Sequence, residues 1–191
     1  MNSSVATVEQ ETQIQPWKVT SWVCSGVVVV SVLACFVLAA ARSNGLTKVT
    51  VTALNENEEP RDAGVPLLKR KDALPDYEIF VLLQSGSKIH LGAKPNSSAV
   101  EGLAWTLTDP ISISEIASVR LQEQDKVISD PIAEVQCDQD SVVMGNYRFE
   151  FETTRSASVG IKSFFKTPIG LAIAAAFFVA VFISIAGNFV I

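Results

Sequence analysis

Two uncharged runs of 23 residues, Val19–Ala41 and Ile169–Ile191, constrain this chain more than any other feature. At about 1.5 Å of rise per helical residue, each exceeds the roughly 30 Å hydrocarbon core of a bilayer. Trp17, Lys18 and Trp22 mark one boundary of the first run and Arg42 the other, as aromatic and basic anchors do at a membrane interface. A cleaved signal peptide is the competing reading, but its apolar region is shorter, about 7 to 15 residues, and starts nearer the N-terminus. The second run follows Lys162, Lys166 and Pro168. The expectation is a polar tail over 1–16 and transmembrane helices over 17–43 and 169–191.

Both runs carry small side chains at helical spacing. Ala172, Ala176, Ala180, Ser184 and Asn188 recur every four residues, a face on which another helix packs closely. In the first run Ser21, Cys24, Val28, Ser31 and Cys35 follow a heptad-like spacing. The partners expected from this are the lipid bilayer and a protein, either a second copy through the helices or a different chain. Two crossings put both ends of the chain on one side and the intervening domain on the other. Lys18 stands alone on the tail side, whereas Arg42, Lys48, Arg155, Lys162 and Lys166 flank the runs on the domain side, which predicts a cytoplasmic domain.

Between the runs, 44–155 carries 18 acidic and 11 basic residues, a net charge of about −7. That balance excludes nucleic acid, whose phosphates need clustered Lys and Arg. Cys24 and Cys35 lie in the first run, which leaves Cys137 without a disulfide partner in the domain. Short stretches alternate apolar with polar residues, the period of a half-buried strand. Val49, Val51 and Ala53 alternate with Lys48, Thr50 and Thr52, and Tyr147, Phe149 and Phe151 with Arg148, Glu150 and Glu152. Further strands are predicted over 78–83, 88–91, 104–107, 118–123 and 132–135, with His90 as a strand residue. Breakers at 55–64, 84–87, 94–96, 138–140 and 145–146 separate them. Ser112 and Glu115 have capping-box spacing and predict one helical turn, and 156–168 has the composition of a juxtamembrane linker, with Phe164 and Phe165 expected in the headgroup region beside Lys162 and Lys166. The fold expected is an all-β sandwich of about 7–8 antiparallel strands flanked by two transmembrane α-helices.

Three stretches carry a likeness to a known family: Pro75-Asp76-Tyr77-Glu78-Ile79-Phe80-Val81, then Trp105, then Glu123 to Glu134. Their order over about 46–140 resembles the calcium- and lipid-binding C-two sandwich, in a degenerate form that lacks the usual proline after Asp76 and has Ala133 in place of a glycine. The resemblance implies that Asp72, Asp76, Glu123, Asp125 and Asp130 converge from loops at one end of the sandwich, where calcium takes six to eight oxygen ligands. The residues by themselves require no cofactor.

For catalysis the domain offers one histidine, one cysteine and no Gly-x-Ser-x-Gly or His-x-x-x-His pattern. The function expected is therefore non-enzymatic: a two-pass membrane protein presenting a β-sandwich that binds a protein partner or lipid headgroups, as a subunit of a membrane complex. The alternative is a calcium-responsive membrane-anchored sensor.

Overall fold

The computed structural model describes residues 3–60, 74–124 and 130–188, and for 3–17, 130 and 187–188 the backbone alone. The chain divides into a β unit within Arg42–Gly160 and a helical unit within Met1–Ala41 and Ile161–Ile191.

The β unit holds eight strands: β1 (Asn44–Ala53), β2 (Tyr77–Leu83), β3 (Lys88–Lys94), β4 (Leu103–Ser112), β5 (Ile116–Glu123), β6 (Asp130–Val135), β7 (Ser141–Met144) and β8 (Tyr147–Arg155). They form two four-stranded antiparallel sheets, one ordered β4-β1-β8-β7 and the other β3-β2-β5-β6. Both sheets feed one core. Val49, Val51, Leu107, Phe149 and Phe151 come from the first, and Tyr77, Ile79, Val81, Val119, Leu121 and Val135 from the second. Period two explains most of these positions, since alternate residues of a strand share a face. Leu46 and Val49 break the rule, because both are fully buried yet three residues apart. The register shifts between Leu46 and Lys48, so a bulge at Thr47 restores the inward set. The Thr47 hydroxyl donates to the Glu152 carbonyl at 2.9 Å across that irregularity.

Trp105 links the sheets. Its indole N–H crosses from β4 to the Gly92 carbonyl of β3 at 3.0 Å. Gly92 lies in the left-handed region at φ +115°, where a side chain would be strained. Strand β7 goes beyond the seven strands read from the sequence. It joins β8 through Gly145-Asn146, with φ +59° at Gly145, as a two-residue hairpin with glycine at its first central position requires.

The two ends of the β unit differ. The chain enters at Asn44 and leaves at Arg155, which are paired neighbours on β1 and β8, so both connections emerge together. Here Ser112 donates its hydroxyl to the Arg42 carbonyl at 2.8 Å and the Ser156 N–H bonds the Ser43 carbonyl at 2.9 Å. That use of Ser112 corrects the expected capping box. The turn Ile113–Glu115 is 3₁₀, and Ser112 makes no side-chain cap to it. Strands β1, β3, β5 and β7 end, and β2, β4, β6 and β8 begin, at the opposite end, the loop end.

The helical unit comprises α1 (Ser3–Ala41), α3 (Pro168–Asn188) and the C-terminal part of α2 (Ala157–Phe165). Thus the segment expected as a linker is largely helical. The stretches Lys18–Ala41 and Pro168–Ala186 are long and apolar enough to cross a membrane. Helices α1 and α3 pack together. On α1 the covered positions are Thr20, Cys24, Val28, Ser31, Ala34, Cys35, Leu38 and Ala39, which include the predicted seam except for Ser21, which is exposed. On α3 they are Gly170, Ile173, Ala174, Phe177, Ala180, Val181, Ile183 and Ser184. Ala180 and Ser184 thus lie on the covered side, while Ala172 and Ala176 are exposed; the Asn188 side chain lies outside the described residues. A strict four-residue step drifts around a 3.6-residue helix, whereas mixed steps of three and four follow a partner.

Candidate functional site

At the loop end, Asp76, Glu123 and Asp130 occupy the start of β2, the end of β5 and the start of β6. Asp72 and Asp125 lie outside the described residues. Glu123 is the register partner of both Tyr77 and Asp130, and the Gln124 N–H bonds the Asp76 carbonyl at 2.7 Å, so the two connections adjoin. The Asp76 carboxylate is already engaged: Oδ1 accepts the Asn96 N–H at 2.6 Å. Asn96 sits in the left-handed region at φ 48°, and its side-chain oxygen accepts the Leu74 N–H at 3.0 Å. Asp76 thereby ties the β3–β4 turn to the start of β2. Among the described residues no group of three or more His, Cys, Asp or Glu is placed to hold a metal.

The same end contains a carboxylate that sequence patterning did not single out. Glu59 is 4% exposed and follows the 3₁₀ turn Glu56–Glu58. Its Oε1 accepts from the Tyr77 hydroxyl at 2.9 Å and the Ala99 N–H at 2.7 Å, and its Oε2 from the Ser98 hydroxyl at 2.7 Å. Because Tyr77 spends its proton on Glu59, the 2.9 Å contact between the two phenols is a donation from Tyr147 to Tyr77. Burial, reinforced by Tyr147 and Glu59, pushes the Tyr77 phenol far above its ordinary range. Burial likewise raises Tyr147, so both stay protonated donors. This relay of hydroxyls locks the β1–β2 and β3–β4 connections to the two sheets. Chemically it is a closed set, with each donor matched to an acceptor.

A second polar cluster lies on the outer face of the β3-β2-β5-β6 sheet. Glu78 points away from the core, yet its side chain is only 6% exposed. Its Oε2 lies 3.2 Å from His90 Nε2, and its Oε1 accepts from the Gln122 amide. The His90 ring, 44% exposed, stacks on Phe80 at 4.7 Å and 18°. One strand further, Glu134 accepts from the Ser118 hydroxyl at 2.5 Å and from Arg120 at 2.8–2.9 Å. The Ser118 and Arg120 hydrogen bonds hold the Glu134 carboxyl below its usual range. Cross-strand register builds the array: Phe80 pairs with His90 on one side and Arg120 on the other, and Arg120 with Glu134. Several polar side chains are therefore held by one another on the outer face of this sheet.

No family model matches the chain, and no curated protein matches it significantly. A cavity of about 430 Å³ opens at the connection end, lined by Gln84, Ile113, Ile116, Ala117 and Gln136–Asp138. Burial, with Asp138 alongside, pushes the Cys137 thiol up to about 12, so it is neither a nucleophile nor a ready metal ligand at neutral pH. The acid–base groups in the outer-face array are held by each other.

Proposed function

We propose that this is a two-pass membrane protein that presents a C-two-like β-sandwich as a non-enzymatic interaction module. Its protein partner docks on the outer face of the β3-β2-β5-β6 sheet. The carrying observation is that array: a buried Glu78, stacked His90 and Phe80, and the Ser118–Glu134–Arg120 set, all with their rotamers already fixed. Side chains immobilised before binding lose little entropy on association. The paired positions of Asn44 and Arg155 support the membrane reading, since one end of the module carries both connections to apolar helices. In this reading the β unit is cytoplasmic, with the ends of the chain on the opposite side.

The test is cross-linking of the full-length protein in its native membranes, comparing it with a His90→Glu, Arg120→Glu variant that leaves the core untouched. A stoichiometric partner cross-linked to the native chain and lost from a folded variant supports the proposal. The same cross-links in both, or none in either, sink it. Protease protection in sealed vesicles reads the sidedness independently.

A second reading, a calcium-responsive sensor, draws on the Asp76–Gln124 backbone bond that brings the two acidic connections together. It requires the unfolding midpoint to rise with calcium, by about ten degrees at a hundredfold excess over the dissociation constant. It further requires that rise to vanish in an Asp125→Asn, Asp130→Asn variant.

A further inference from the structure

Helix α2 is amphipathic in an unusual place. Val159, Gly160, Ser163 and Phe164 are buried along one side. The other side exposes Ile161 (50%) and Phe165 (45%) one turn apart, with exposed Lys162 beside them and exposed Lys166 in the turn directly after the helix. No acidic residue occurs anywhere from Ser156 onward, in a chain whose net charge is −5. An apolar stripe thus runs beside a basic one on the uncovered side of the helix.

The join to α3 is fixed rather than loose. The Thr167 N–H and hydroxyl both donate to the Phe164 carbonyl, at 3.0 and 2.7 Å. The same hydroxyl oxygen accepts the Gly170 N–H at 3.0 Å, capping α3 ahead of Pro168 in its first turn. Gly170 is required here because a Cβ would collide with the Phe164 carbonyl. Phe165 is therefore held three residues from the first residue of the apolar helix.

We infer that α2 is a lipid-reading helix, seated at the headgroup boundary with Ile161 and Phe165 in the acyl region and Lys162 and Lys166 on anionic phospholipid headgroups. The inference rests on the reading of α3 as a membrane span. That continuity selects a lipid surface over a protein partner: a helix joined rigidly to a span has its exposed apolar stripe at the interface whether or not another protein is present. The lysines supply the charge complementarity, each enriching anionic lipid by about fivefold near the surface. The acidic β unit repels such a leaflet, so the attraction must come from this segment.

The experiment places the full-length protein in vesicles of phosphatidylcholine doped with spin-labelled phosphatidylserine or spin-labelled phosphatidylcholine and measures the motionally restricted fraction of each. The expected result is a several-fold preference for phosphatidylserine that falls towards parity in Lys162→Gln, Lys166→Gln and survives in Lys162→Arg, Lys166→Arg. The arginine pair controls for loss of fold. Equal restriction of both lipids by the native chain, or a preference undiminished in the glutamine pair, overturns the inference. So does a preference abolished by millimolar inorganic phosphate, which would mark a site for the free anion. Failure of the span reading shows separately, as protein that alkaline carbonate strips from the vesicles.

Discussion

Glu59 and Glu78 are both nearly buried carboxylates in the same β unit, and they are held in opposite ways. Glu59 sits under the loop end among neutral donors, two hydroxyls and a backbone N–H, which are themselves buried or half-buried. Glu78 sits on a sheet face beside an amide and an imidazole, the latter 44% exposed. Water can replace the partners of the second far more readily than those of the first. The loop end, where the sequence concentrates acidic residues, is thus fastened by one of them. The face that the sequence presents as an ordinary alternating strand carries the accessible chemistry.

The contrast breaks most visibly at Glu59. Glu59→Ala strands three donors in a place with little water, an expected loss of about 3 kcal/mol or more and a fall in Tm of about 15 °C. Glu59→Gln is milder, about 1–2 kcal/mol, because the Ser98 hydroxyl can turn to accept from the new amide. Thermal unfolding of the Arg42–Gly160 unit measures both. If the alanine variant melts like the native protein, the loop end is not locked as described. Tyr77→Phe comes next, at about 1–2 kcal/mol, since it removes the link between Tyr147 and Glu59 while conserving the ring in the core.

None of this was legible in the sequence, for a physical reason. Glu59 lies in the Asn55–Gly64 breaker stretch, and its partners are 18, 39 and 40 residues away, so no local period marks it. Strands whose inward residues keep period two, β1 and β8 above all, were legible because burial imposes that period. Strand β7 was not: Val142, Val143 and Met144 run together without alternation, between Asp140 and Gly145, in an edge strand of four residues. The bulge at Thr47 escaped for the same reason, being a correction to the period rather than an instance of it. In α2 the Ser, Gly and β-branched residues have weak helix propensity, and packing of Val159 and Phe164 overrides it. Of the carboxylates expected to converge, the described Asp76, Glu123 and Asp130 lie at strand ends on one end of the β unit. The prior engagement of Asp76 by Asn96 depends on a turn geometry that spacing does not encode.

On the sheet face the expected effects are smaller, as the comparison requires. Glu78→Ala should cost about 1 kcal/mol, because His90 and Gln122 can be rehydrated from the open side. A loss as large as that of Glu59→Ala would mean that the face is closed.

Glu134 gives the smallest effect and the sharpest sign. Its folded-state carboxyl lies below the ordinary value of 4.5, chiefly because Ser118 and then Arg120 bond the ionised form. A depressed carboxyl contributes stability that is complete above its unfolded value and is lost as pH falls through its folded one. The Tm difference between native protein and Glu134→Gln should therefore be constant from neutral pH down to about 5 and shrink below 4.5. Because the side chain is 42% exposed, solvent and salt screen the Arg120 pair, and the plateau itself should be small and decrease with added salt. Glu59→Gln supplies the contrast, since a carboxylate held by neutral, protonated donors gives a Tm difference that salt leaves nearly unchanged. A salt response of equal size at both positions would erase the distinction between a closed polar lock and an open binding face.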